Sequence, residues 1–172
     1  ILSMAAPFFN RRDKVMQHFL LKDSALVIFP NGRFSICNKA DVQALEKKRP
    51  SNMANFEINI SGSRRLTLAE NGIQYKGLKE TENGLKLYYE YKEKQLQIVT
   101  ELEFIDGTDV IVQKNTVKNT GTDTVKLTRF SSAFIEDIAY DENTPYYDAD
   151  ITVNICHSKW QGEGQWKQYT LP

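Results

Sequence analysis

The feature that most constrains this chain is a two-residue alternation of apolar and polar side chains, cut at short intervals by turn residues. In the stretch from Leu96 to Phe104, Leu96, Ile98, Thr100, Leu102 and Phe104 share one face, while Gln97, Glu101 and Glu103 share the other. One dry face and one wet face is what an antiparallel sheet requires. The apolar run Ala25-Leu26-Val27-Ile28-Phe29 ends at Pro30-Asn31-Gly32, and Arg33-Phe34-Ser35-Ile36-Cys37 then alternates, which predicts a hairpin. Further strand-like runs lie at 56–60, 85–91, 110–119 and 124–130. Between them stand Ser61-Gly62-Ser63, Asn71-Gly72, Asn83-Gly84, Asp106-Gly107 and Thr120-Gly121-Thr122-Asp123.

Many short strands at this spacing predict an all-β fold, an antiparallel β-sandwich with at most one or two short helical turns. The helical candidate runs from Asn38 to Arg49, with Asp41 as its cap and Pro50 as its stop. Nine Phe, eight Tyr and two Trp reinforce the strand reading, because aromatic side chains favour a pleated, half-buried surface. A chain of 172 residues fits one domain, 1–172, with 1–12 read as a frayed terminus. The alternation nominates Leu26, Ile28, Phe34, Ile58, Leu87, Tyr89, Ile98, Leu102, Val112, Leu127 and Phe130 as core.

Charge narrows the partners. Lys plus Arg and Asp plus Glu are both 22, so the phosphate-neutralising excess of a nucleic-acid binder is missing. No apolar run approaches the roughly 20 residues of a membrane-spanning helix. The opening Ile1-Leu2-Ser3-Met4-Ala5-Ala6-Pro7 is apolar but lacks the basic leading segment of a signal peptide. Cys37 and Cys156 suit buried thiols at least as well as a disulfide, which leaves the compartment open, with the cytoplasm slightly favoured over secretion. Asn59-Ile60-Ser61 is a formal glycosylation sequon.

Signatures of chemistry are sparse. The sequence contains no phosphate-binding glycine loop, no paired-cysteine zinc pattern and no His-Glu-x-x-His. His18 and His157 stand far apart and read as structural or surface residues, so no cofactor or metal is expected. Asp137, Asp141, Glu142, Asp148 and Asp150, mixed with Tyr140, Tyr146 and Tyr147, lack the ligand spacing of a calcium loop and read as solvated. Trp160-Gln161-Gly162-Glu163-Gly164-Gln165-Trp166 admits two readings. The rings could form a sugar platform, with Gln and Glu for the hydroxyls, or a Trp could cover a sheet while the glycines permit a bend.

The segment 104–134, FIDGTDVIVQKNTVKNTGTDTVKLTRFSSAF, reads as strand, strand ending in Lys118-Asn119, a Gly121 turn, strand and small-residue patch. It resembles the N-terminal β-supersandwich domain of family 36 glycoside hydrolases, chiefly α-galactosidases. Members carry a comparable Lys-Asn-x-Gly turn and a Ser-Ala patch after the next strand. Trp160-Gln161-Gly162-Glu163 is similar to the family's Trp-x-x-Glu segment. Asn55-Phe56-Glu57, with Gly62 and Leu68 after it, is similar to the family's Asp-Tyr-Arg region, although Asn55 stands where an Asp is expected.

The resemblance implies an accessory domain. The family's two catalytic aspartates lie in a (β/α)₈ barrel downstream, and retaining glycosidases need such a carboxylate pair about 5 Å apart. No catalytic residue is therefore expected in this chain. The implied partners are a galactoside, reached through the parent enzyme, and possible copies of the chain in a homodimer. The implied substrate-binding positions are Asn55 and Phe56 at the pocket rim, with Trp160, Glu163 and Trp166. Two other functions stay open: an independent carbohydrate-binding module using Trp160 and Trp166, and an interaction domain with no ligand.

Overall fold

The computed structural model describes residues 16–45, 53–61, 65–66, 72–131, 134–136, 151–157 and 165–171. In chain order the strands are β1 (Gln17–Leu20), β2 (Ser24–Ile28), β3 (Phe34–Asn38), β4 (Met53–Asn55), β5 (Ile58–Ile60), β6 (Arg65–Leu66) and β7 (Ile73–Thr81). They continue as β8 (Gly84–Tyr91), β9 (Leu96–Phe104), β10 (Ile111–Asn119), β11 (Leu127–Phe130), β12 (Phe134–Glu136), β13 (Ile151–His157) and β14 (Gln165–Leu171). Every pairing is antiparallel. A 3₁₀ turn at Lys39–Asp41 runs into the single helical turn α1 (Val42–Leu45), and a second 3₁₀ turn spans Lys92–Lys94. The expected all-β architecture is the observed one. Of the helical candidate Asn38 to Arg49, Glu46 to Arg49 lie outside the described residues.

Among the described residues four sheets form: β1-β2-β3-β4-β12, the meander β10-β9-β8-β7, the small sheet β11-β5-β6, and the hairpin β13-β14. The core lies between the meander and the first and third sheets. Leu26, Ile28 and Phe34 come from the first, Phe56, Ile58 and Ile60 from the third strand group and its approach, and Leu85, Leu87, Tyr89, Tyr91, Leu96, Ile98 and Leu102 from the meander. Full burial of one such side chain contributes roughly 1.5–3 kcal/mol, so this interface supplies most of what holds the layers together.

The run Ala25-Leu26-Val27-Ile28 is buried at every position because β2 is covered on both faces. Leu26 and Ile28 enter the main core, and Ala25 and Val27 pack with Val42, Met16, Phe29 and Cys37 in a second cluster. That is why its sequence is a continuous apolar run and not an alternation. The predicted turn follows: Gly32 N–H donates to Phe29 O at 2.8 Å, and Gly32 has φ +81°. Glycine is needed there twice over, for the positive φ and because a Cβ would lie 2.4 Å from the Tyr75 ring.

Two core assignments are corrected. Val112 is 47% exposed and Leu127 is 38% exposed. In β10 the register pairs Ile111, Gln113, Asn115 and Val117 with Phe104, Leu102, Thr100 and Ile98, so Val112, opposite Glu103, faces outward. Leu127 opens an edge strand beside a bulge between Leu127 and Arg129. Phe130 is only partly buried, packed against the core from the same strand. The other nominated residues are buried.

Away from the core, the β1–β2 and β9–β10 turns are joined through one carboxylate. Asp109 Oδ1 accepts from Asp23 N–H and Ser24 N–H, each at 2.8 Å, and from Ser24 Oγ at 2.7 Å. The Ser24 hydroxyl first, then the Asp23 amide, hold the Asp109 carboxyl below its ordinary value, with Lys22 adding a little. The depressed folded value means that the clamp stabilises the fold above the ordinary Asp range, and that this is lost as pH falls through the lower folded value.

Ile98→Ala is expected to lower unfolding free energy by about 2–5 kcal/mol, against about 0.5 kcal/mol or less for Val112→Ala on the outer face. Equal losses in urea titrations would mean that the strand faces are misassigned. Asp109→Asn should flatten the acid limb of stability. The gap between wild-type and variant urea midpoints should be largest near neutrality and close as pH falls past Asp109's depressed value; a gap independent of pH contradicts the clamp.

Candidate functional site

Within the segment 104–134, the turn at Lys118-Asn119-Thr120-Gly121 packs against Gln95. Gln95 is in the left-handed region (φ 52°, ψ 41°), where its N–H closes the 3₁₀ turn onto Lys92 O at 3.1 Å. Its carbonyl then receives Thr120 N–H at 2.9 Å and Thr120 Oγ1 at 2.7 Å. Asn119 Oδ1 accepts from Gly121 N–H at 2.9 Å, and Asn119 Nδ2 donates to Asp123 O at 2.7 Å. This is an Asx turn, in which the short amide replaces the backbone partners that a loop lacks. A Cβ at Gly121 would sit 2.2 Å from Gln95 Oε1, so a larger residue there would have to displace the Gln95 side chain. The Lys-Asn-x-Gly spacing thus has a structural cause in this chain.

From β11 the chain reaches Ser131, where the two layers are tied by polar contacts. Ser131 N–H donates to Glu57 O at 2.9 Å, and Ser131 Oγ accepts Glu57 N–H at 2.7 Å. Ser131 O accepts Asn115 Nδ2 at 3.3 Å, and Asn115 Oδ1 accepts Thr100 Oγ1 at 2.8 Å and Gln113 Nε2 at 3.3 Å. Thr100 is fully buried, so its hydroxyl needs this partner. The inward positions of β10 are polar where they meet Ser131.

Glu57 directly precedes β5 and Asn59 is its middle residue, so the two alternate in sequence with the core residues Phe56, Ile58 and Ile60. The Glu57 side chain is 4% exposed, and among the described residues it meets one cation, Arg129 Nε at 4.0 Å. Arg129 is the register partner of Asn59 and its side chain is 65% exposed. Asn59 Oδ1 is buried and accepts no hydrogen bond. A buried carboxylate thus has an exposed guanidinium 4.0 Å away, and the residue opposite that arginine in the register carries a buried amide oxygen without a hydrogen bond. Sequence reading gave Arg129 no role, named Glu57 only within Asn55-Phe56-Glu57 and touched Asn59 only through the sequon; the alternation over 56–60 carries no signal of their burial.

Of the residues nominated from sequence, Phe56 is fully buried, with ring centroids 5.1 Å from Tyr89 and 6.5 Å from Phe130. A sugar rim needs an open ring face, and here Phe56 works as packing. Asn55 is in β4, its backbone opposite Phe134. Trp166 is in β14, opposite Cys156. Trp160 and Glu163 lie outside the described residues, as does the acidic stretch from Asp137 to Asp150.

The outer face of the meander is occupied by ion pairs, Lys86 with Glu101 at 2.7 Å and Lys76 with Glu90 at 2.8 Å, around a partly exposed Tyr88. Lysine hydrogen bonds hold the Glu101 and Glu90 carboxyls below their ordinary values. Cys37 is a free thiol whose pKa is raised by burial and by Asp41. Among the described residues no group of three or more His, Cys, Asp or Glu could hold a metal ion, and no helix is long and apolar enough to cross a membrane. Compared with known proteins, the chain matches no family model, no curated protein and no solved structure.

Proposed function

We propose that this chain is a non-catalytic β-sandwich accessory domain of an α-galactosidase-like glycoside hydrolase. In this reading it buttresses a (β/α)₈ catalytic barrel, contributes oligomer contacts and lies near the sugar pocket. What supports it is that the residues carrying the family resemblance have fold-determining roles: Asn119 and Gly121 build the turn after the long strand β10, and Ser131 ties the next strand to Glu57. The carboxylates with described partners are engaged structurally, Glu101 and Glu90 by lysines and Asp109 by three donors. An accessory role needs no further acid–base machinery from them.

The chain alone should not turn over a chromogenic α-galactoside, while the longer product of its gene should. Turnover by the purified chain, abolished by replacing one of its own acidic residues, contradicts the reading. So does a parent gene whose remaining sequence lacks barrel units with two suitably placed aspartates.

Self-association belongs to the same reading. Leu20, Val110 and Val112 are 64%, 54% and 47% exposed, and apolar area of this kind favours pairing with a second copy, most simply about a two-fold axis. Sedimentation over a wide concentration range should show a dimer growing in; a monomer at every concentration rules it out.

A further inference from the structure

We draw no further inference here: the strongest candidate, the outward face of the meander with its partly exposed Tyr88 among the Lys86–Glu101 and Lys76–Glu90 ion pairs, is an open sheet face, and nothing in the structure shows what covers it.

Discussion

The rest of the fold depends on Tyr89. Its ring is buried in the meander's inner face, and its hydroxyl donates to Gly32 O at 2.8 Å, in the turn that closes the β2–β3 hairpin of the opposite layer. The same ring touches Phe56, where the chain passes from β4 to β5, and Tyr75 in β7, with a centroid separation of 5.6 Å. One side chain thus contacts both layers and the corner between them. Aromatic pairs of this geometry add about 0.5–1.5 kcal/mol beyond their buried area. Burial, and the nearby Tyr75, raise the Tyr89 pKa well above its ordinary value, so the phenol stays a neutral donor throughout the physiological range. The requirement passes to Gly32, whose missing Cβ leaves space for the Tyr75 and Tyr89 rings.

That dependence explains what could be read in advance. The meander was legible because each of its strands meets one dry layer and one wet face, and the alternation in Leu96–Phe104 survives intact in the burial pattern. The β2–β3 hairpin was legible because Pro30-Asn31-Gly32 interrupts two apolar runs, and its ladder runs from Ile28↔Phe34 to Ser24↔Asn38. Val112 was misread because β10 has apolar residues on both faces, Val112 on one and Ile111 and Val117 on the other, and only the register with β9 decides which enters the core. Leu127 was misread because a bulge interrupts the two-residue period of β11.

The candidate site was less legible for a different physical reason. Patterning reports which positions are buried among apolar neighbours, whereas Glu57 is a buried carboxylate and Asn59 a half-buried residue with a sealed amide oxygen. In sequence, Phe56-Glu57-Ile58-Asn59-Ile60 is an ordinary alternating strand whose polar face should be wet. Only the three-dimensional structure distinguishes a solvated Glu from a desolvated one. Phe56 shows the converse: an aromatic assigned to a pocket rim by resemblance is the residue on which Tyr89 packs.

The cost of that buried polar pair bears on its purpose. Removing a carboxylate from water costs several kcal/mol unless good partners replace the lost hydration, and a single contact at 4.0 Å to an exposed guanidinium is weak compensation. Apolar residues at such positions are often neutral or stabilising, so stability by itself favours an Ile or Val at both places. The neighbouring contacts show that this chain can satisfy buried polar atoms when the fold needs them. Thr100 is paired with Asn115, Asn115 with Ser131, and Tyr89 with Gly32. Among the described residues, Asn59 Oδ1 is a buried acceptor without a hydrogen bond, and the cation that meets Glu57 comes no nearer than 4.0 Å. The cost of their polarity is offset by the apolar packing of Phe56, Ile58 and Ile60, which alternate with them in sequence.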